Sequence, residues 1–542
     1  MILQSLVKRY DDSEDKIPLY WQMRPFDFDV NLDRNGNILE ITPHTNIENK
    51  RKVRRELILP EEPPGRTSGI KAGFLCDNAG YFFGLDPKRG AEKYKAAGLL
   101  HEEVLSGLQS EAAQAILAFF ARPVPENLEV EAGIYIFRVE GVFAHEDPII
   151  RTAWHDYKKA TSEGDIVRCL VSGELDHINP LHGKIGMRGV SMGAAPFVSI
   201  NADSFRSFGS TSKDPAASIG LEASFKYVAA LNDLLKNPKH FKMLGQDTLV
   251  YWAEGDDSAE MNLMDLMAEP QEDEQEKLEA IISNLSRGNL IQVEGCDFSK
   301  QFFILCLSPN AGRISVRFFH YNRFGNIVRN ITQHYRNLEV VGNNKFAFVP
   351  PWMILSETTV KKKTQDALPL LGGQLFESII TAKAYPMTLY HAILRRIRAG
   401  ETVTPIKAAV LKAILIKNFK SEVVTVALNK DSSNIPYTLG RLFSVLEQLQ
   451  ERAIGSSTIR QSYFSSASTN PSTVFPRLLS LSMHHADKLD NSVWFEKLKG
   501  ELIDKLDPDK PFPQTLSMQE QGEFIVGYYH QQQERYAKKE EK

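Results

Sequence analysis

The residue types best able to act on another molecule are concentrated in residues 65–86. This stretch includes Arg66-Thr-Ser-Gly-Ile-Lys-Ala-Gly-Phe-Leu-Cys-Asp-Asn78 and continues through Tyr81-Phe-Phe-Gly84. Its glycines let another backbone approach closely. Arg66 and Lys71 supply positive charge. Thr67, Ser68 and Asn78 supply short polar groups of the kind that bond base edges, sugars or phosphates. Phe74, Tyr81, Phe82 and Phe83 would hold such a loop against a core. On residue types alone two readings stay open. One is a nucleic-acid-contacting loop on a rigid base; the other is a glycine-rich turn leading into a buried strand.

Three further segments could track a phosphate backbone. In 181–193, Lys184 and Arg188 are spaced by glycines, and the polar segment 201–209 adds Asn201 and Arg206. Strict alternation along 313–319 would put Arg313, Ser315, Arg317 and Phe319 on one strand face. Residues 378–421 hold eight Lys or Arg against the single acid Glu401. Helical periodicity there predicts Arg395, Arg396, Arg398, Lys412 and Lys420 facing outward, a surface for a single displaced strand.

Nucleotide-binding and metalloprotease motifs are missing from the chain. It has no Walker A sequence, no G-x-G-x-x-G after a strand and no H-E-x-x-H. Cys169, His177 and His182 match no zinc spacing, and His484 and His485 point about 100° apart on a helix. His145, Asp147, His155 and Asp156 form no hydrolytic pair. A binding protein with no cofactor and no metal is expected. The competing reading is a metal-dependent nuclease using His, Asp and Glu residues.

The elements that position these residues follow from periodicity. A helix is expected over 1–10, and a hairpin through Asn35-Gly36 joins strands at 26–30 and 38–41. The basic run 50–55 leads into Leu57-Ile-Leu-Pro60. Two helices fill 91–121, with Gly107 between them, and a strand follows at 134–139. Helix 147–160, strands 166–171 and 195–200, helix 216–235 and strand 248–253 come next. Residues 254–279 carry eleven acids against Lys277 and read as a surface loop running into a helix. A hairpin at 301–319 and a helix at 325–337 resemble pieces of RNA-recognition-type folds. Beyond about 353 strand signals fade, and helices are expected near 372–384, 387–399, 403–419, 434–453, 473–490, 492–506 and 516–538. The fold class is therefore α+β: a mixed α/β N-terminal region with several small sheets, then an all-α C-terminal bundle.

Bulk properties agree with a soluble globular chain. It has 542 residues, 42% of them hydrophobic and 24% charged, with a net charge of −4. Nucleic-acid binding must then come from local patches. The four cysteines are scattered, as in a reducing compartment. Lys8 and Arg9 come too early for a signal peptide, and no apolar run is long enough to cross a membrane. A cytoplasmic location is expected.

Long motifs in order resemble one family. They include 66–78 as written above, Cys169-Leu-Val-Ser-Gly-Glu174, Leu181-His-Gly-Lys-Ile185, Phe197-Val-Ser-Ile-Asn201 and Ser204-Phe-Arg-Ser-Phe-Gly209. Thr248-Leu-Val-Tyr-Trp-Ala-Glu254, Leu307 to Phe318, Leu394-Arg-Arg-Ile-Arg398, Leu439-Gly-Arg-Leu-Phe443, Phe475-Pro-Arg-Leu-Leu479 and Phe524 to His530 continue it. The chain resembles the large subunit of the subtype I-C CRISPR surveillance complex, Cascade (the Cas-eight-c or Csd-one family).

The resemblance implies a non-catalytic role in antiviral defence. Such subunits recognise the protospacer-adjacent motif (PAM) on double-stranded DNA, promote R-loop formation, hold the displaced strand and help recruit the Cas-three helicase-nuclease. Implied partners are crRNA, the backbone and crRNA 5′-end-binding subunits, a small subunit, and target duplex. The division implied is 1–352 for PAM recognition and assembly, with an acidic segment at 254–279, and 353–542 for a helical bundle resembling a Cascade small subunit. Arg66, Thr67, Ser68, Lys71 and Asn78 are then the expected PAM loop. Lys184, Arg188, Asn201, Arg206 and Arg317 would be further DNA contacts, and Arg395, Arg396, Arg398, Lys412 and Lys420 the path of the non-target strand.

Overall fold

The computed structural model describes residues 1–14, 16–48, 51–63, 69–123, 130–162, 165–179, 181–199, 204, 218–286, 295–342 and 346–540. The fold is α+β, with small sheets toward the N-terminus and a helical C-terminal region. The chain forms two compact units: residues 1–183 with 198–231, and residues 184–197 with 232–542.

The first unit contains helices α1 (Ile2–Asp12), α2 (Ala79–Phe82), α3 (Gly90–Leu105), α4 (Glu111–Phe120) and α5 (Pro148–Ala160), and the start of α6 (Leu221–Lys236). Its strands are β1 (Trp21–Phe26), β2 (Phe28–Leu32), β3 (Ile38–Pro43), β4 (Thr45–Glu48), β5 (Arg51–Pro60), β6 (Cys76–Asn78), β7 (Ile134–Val139), β8 (Val142–Phe143), β9 (Ile166–Arg168) and β10 (Leu175–His177). The main sheet has the order β3-β2-β7-β6, with β8 beside β7; β2 and β7 run parallel. A second sheet has the order β1-β5-β4, and β9 pairs with β10.

The β2–β3 turn forms as its sequence predicts. Asp33 Oδ1 accepts from the N–H groups of Asn35 (2.9 Å) and Asn37 (2.7 Å), and Gly36 takes φ +77°. Helix α4 is capped by Ser110, whose Oγ accepts from Ala113 N at 3.1 Å. Helix α5 is capped by Asp147 and opens on Pro148. These elements close a core rich in aromatics: Phe28, Phe74, Phe82, Phe83, Phe119, Tyr135, Phe137 and Trp154.

The second unit adds β11 (Lys184–Gly186), β12 (Ala194–Pro196), β13 (Phe241–Leu244), β14 (Asp247–Ala253), β15 (Gln301–Asn310) and β16 (Arg313–Arg323). Its helices are α7 (Ser258–Ala268), α8 (Gln275–Ser286), α9 (Phe324–Leu338), α10 (Pro351–Ser356), α11 (Leu371–Ile380), α12 (Met387–Arg398), α13 (Pro405–Lys417), α14 (Ile435–Ile454), α15 (Ile459–Ala467), α16 (Pro471–Ala486), α17 (Val493–Ile503) and α18 (Met518–Glu540). Strands β13-β14-β15-β16 form an antiparallel sheet in sequence order. One face of this sheet and the helices from α7 onward share a single continuous core. Within it α14 and α18 cross closely through glycines. A Cβ on Gly440 would collide with the Phe524 carbonyl oxygen, and one on Gly527 with that of Tyr437.

Two local expectations are corrected. The acidic stretch opens as the expected loop at 254–257, but the helix it runs into is not a surface helix. Ser258–Ala268 is helix α7, which buries Met261, Leu263, Met264, Leu266 and Met267. Its Glu260 is buried too, accepting from Asp297 N at 2.7 Å and pairing with Lys300 at 3.1 Å. The alternation expected along β16 is also broken. Phe318 pairs with Cys306 but Val316 with Leu307, so Arg317 is the extra residue of a bulge and Phe319 shares a face with Val316.

Candidate nucleic-acid interface

The first candidate loop sits on a rigid base. Arg66, Thr67 and Ser68 lie outside the described residues. Lys71 is exposed, and its backbone N–H donates to Tyr81 Oη at 3.2 Å. Gly69 has φ +106° with open space where a Cβ would be. Beneath this rim, Phe74 stacks on Trp154 with centroids 4.6 Å apart. Buried Asp77 accepts from Gly73 N at 2.6 Å and Asn78 N at 2.8 Å. Asn78 itself caps α2, its Oδ1 accepting from Gly80 N at 3.0 Å. That leaves its side-chain amide N–H₂ and the second lone pair of Oδ1 for a ligand.

The basic run that precedes this loop is β5. Arg54 pairs with buried Asp27 at 3.0 Å, and Arg55 lies over the Phe143 ring. These charges brace the sheet.

The second unit brings two separate candidates together. Lys184 and Arg188 are exposed on and just after β11. Their loop rests on the tip of the β15–β16 hairpin. Gly189 (φ +86°) lies against Pro309, and Ser191 N donates to Ala311 O at 2.9 Å. A side chain at Gly189 would be strained by that φ and pressed onto Pro309. Arg317 belongs to this hairpin, but it is engaged: it donates to Ser308 Oγ at 3.1 Å and faces Asp247 at 3.9 Å. Asn201 and Arg206 lie outside the described residues.

The helical candidates separate into two groups. Arg395 and Lys420 are exposed as expected. Lys412 is corrected. It is 2% exposed, and its Nζ donates to Asn337 O at 3.0 Å, with its pKa lowered by burial. It is an internal brace between α13 and α9. Arg396 is half-buried and donates through Nε to Glu401 at 2.9 Å. Arg398 is half-buried, with its guanidinium beside Met518 Sδ at 3.9 Å. Burial lowers its pKa. The ratio of eight cations to one acid overstates the free charge. Glu401 takes both Arg396 and Lys407, and Glu357 from α10's C-terminus also faces Lys407 at 3.5 Å.

The family model described as CRISPR-associated protein (Cas_Csd1) matches residues 3–536. The chain belongs to that family. A comparison with curated proteins found no match. In this Csd1-family chain, none of the hydrolytic candidates is assembled into a metal site: among the described residues, no group of three or more His, Cys, Asp or Glu could hold an ion. Cys169 Sγ accepts from Val171 N (3.4 Å) and Gly220 N (3.2 Å), and His182 Nδ1 meets Tyr227 Oη at 2.6 Å. No helix among the described residues is long and apolar enough to cross a membrane.

One positioning residue has no motif around it. His101, on α3, holds the backbone under the Lys71 loop by bonding Leu75 N at 3.1 Å. Its spacing in α3 marks it as an inward position, since Tyr94, Ala97, Val104 and Leu105 are buried on the same helix. Nothing local in the sequence names its partner.

Proposed function

We propose that this chain is the non-catalytic large subunit of a type I-C CRISPR interference complex. It reads the PAM in duplex DNA, promotes opening, holds the displaced strand and helps recruit the Cas-three helicase-nuclease. In this reading the helical region 353–542 plays the small-subunit-like part. The chain-long match to the Csd1 family carries the proposal. The loop geometry supports it: an exposed lysine on an open glycine rim, over a base pinned by stacking and buried hydrogen bonds. RNA-guided complexes leave most sequence reading to the guide, so the protein needs to read only a short motif.

The test is binding of reconstituted complex to target duplex with and without the motif. Arg66→Ala and Lys71→Ala should weaken binding to motif-bearing duplex, by about 1–3 kcal/mol for each side chain that bonds a base edge in bidentate fashion. Equal weakening on both duplexes would show that the loop only positions phosphate. Reproducible, Mg²⁺- or Mn²⁺-dependent cleavage by the purified chain, abolished by His182→Ala, would favour a nuclease instead.

A further inference from the structure

We propose that the outer end of the β13–β16 sheet is a stacking platform for unpaired nucleobases, built by Phe319 and Tyr321 with Arg323 as its phosphate contact. The source of the strand rests on the reading above; the platform's chemistry does not.

Register sets the platform. Tyr321 pairs with Phe303 and Phe319 with Leu305, while Phe303 pairs with Trp252. Alternation then puts Trp252, Phe303, Phe319, Tyr321 and Arg323 on one face. The opposite face, with Tyr251, Phe302 and Ile304, is committed to the helical core. The rings form a continuous row. Trp252 and Phe303 are 5.2 Å apart, Phe303 and Phe319 6.2 Å, and Phe319 and Tyr321 6.0 Å. Exposure rises along it: Trp252 and Phe303 are buried, Phe319 is half-buried, and Tyr321 is 52% exposed. The inner rings therefore anchor the row, and the outer rings stand open on a rigid strand.

A lone exposed tyrosine needs no explanation; the charge around this one argues for a ligand. From Gln301 to Leu338 there is no Asp or Glu, while Arg313, Arg317, Arg323, Arg329 and Arg336 fall within that span. Among the described residues, strand β16 is the edge strand of its sheet. Arg323 is exposed at the Tyr321 end and has no carboxylate partner among the described residues. Aromatic faces beside arginine on a sheet edge fit single-stranded nucleic acid, where bases stack and the backbone follows the cation. The 6.0 Å between the Phe319 and Tyr321 centroids exceeds the roughly 3.4 Å rise of stacked duplex bases. Two successive bases must be splayed to use both rings, which favours an unpaired strand over a duplex. Glu254 continues β14 on the same face, two strands in from Arg323.

Two measurements test this. The first is binding of the full chain to a labelled oligothymidylate as a function of salt. Tyr321→Ala should weaken it about tenfold with an unchanged salt slope, and Tyr321→Trp should restore it. Arg323→Ala should lower the slope by about 0.7, the share of one phosphate contact on a single strand. The second uses reconstituted complex on a target whose displaced strand carries 5-bromouracil. Irradiation should cross-link that strand to the peptide containing Tyr321. Wild-type affinity of a normally melting Tyr321→Ala for the oligonucleotide would overturn the proposal, as would cross-links that map elsewhere. PAM discrimination should survive Tyr321→Ala. If the wild-type complex shows no such discrimination, the functional reading fails while the oligonucleotide result still judges the platform.

Discussion

His101 Nε2 accepts a hydrogen bond from the backbone N–H of Leu75 at 3.1 Å, and its Nδ1 donates to the Ala97 carbonyl at 2.7 Å. The two bonds set the tautomer and require a neutral ring. Leu75 needs the help: it is a non-glycine residue at φ +54°, between the stacked Phe74 and strand β6. Burial pushes the His101 pKa down to about 4, only partly offset by the Ala97 carbonyl. His101→Leu leaves the buried Leu75 N–H unpaired, at a cost of about 1–3 kcal/mol. Denaturant titration should show that cost, and motif-bearing duplex should bind more weakly because the Lys71 rim loses its support. His101→Gln should recover part of both. Unchanged stability in His101→Leu would mean that Leu75 finds another acceptor.

The same neutrality predicts an acid limit. His101, His145 and His530 are pushed down to about 4 and His334 to about 3, in each case chiefly by burial. Unfolded histidine titrates near 6.5, so between that pH and about 4 the unfolded chain binds more protons. Stability is therefore fully present above about 6.5 and falls as pH drops through that window. Buried Glu447 opposes the trend, because burial raises its pKa and its protonation on acidification relieves a cost. One carboxyl against four histidines leaves the net sign unchanged. Thermal melts at pH 7.5 and 5.0 should differ, with the lower Tm at pH 5.0. A flat profile would refute the burial of these rings.

Lys407 gives a sharper stability test. It is 1% exposed, with Nζ 2.6 Å from Glu401 Oε2 and 3.5 Å from Glu357 Oε2. Burial pushes the Glu401 pKa up, but hydrogen bonds from Arg396 and Lys407 outweigh it, and the net shift is down. Its contribution is thus present above the usual carboxylate pKa and lost as pH falls through the lowered value. Lys407→Met takes one cation from each carboxylate, leaving Glu401 with Arg396 and Glu357 with Lys362, and should cost about 1.5–3 kcal/mol, the range for a hydrogen bond to a charged group. Chemical denaturation reads this. Adding Glu401→Gln should return part of the stability, and strict additivity of the two changes would contradict the coupling.

Much of this architecture is legible in the chain because it is specified locally. Asp33-to-Asn37 forms its turn from side-chain bonds spanning a few residues, and Ser110, Asp147, Thr404 and Asn434 each cap the helix that follows. What escapes a sequence reading is specified at a distance. Strand β1 is obscured by Arg24 and Pro25, yet Arg24 is buried and donates to Pro60 O at 3.0 Å across the β1–β5 pair. Helix α13 is buried on nearly every side, so no periodicity shows that Lys407 and Lys412 point into protein. Glu401 lies six residues before Lys407, but its second carboxylate, Glu357, and the Asn337 carbonyl that takes Lys412 lie far back in the chain. The bulge at Arg317 changes which residues share a face with Phe319 and Tyr321: strict alternation adds Arg317 to that face, whereas the register puts Val316 there.

Burial of Lys412 divides the basic helical residues into those free to meet phosphate and those that cannot. Each phosphate contact contributes to the slope of log affinity against log salt, by about 0.7 per charge for single strands. Arg395 and Lys420 are exposed, so Arg395→Ala with Lys420→Ala should flatten that slope for R-loop binding if the displaced strand passes here. Lys412→Met should leave the slope alone. Its measurable effect is on folding, because the Asn337 carbonyl loses its donor where α9 meets α13. Methionine keeps most of the stem's packing, which limits the destabilisation to about 1–3 kcal/mol. Salt titration of R-loop binding and denaturant melts on both variants separate the two behaviours. A slope change in Lys412→Met, with none in the exposed pair, would move the strand path away from Arg395 and Lys420 and would require α13 to open on binding.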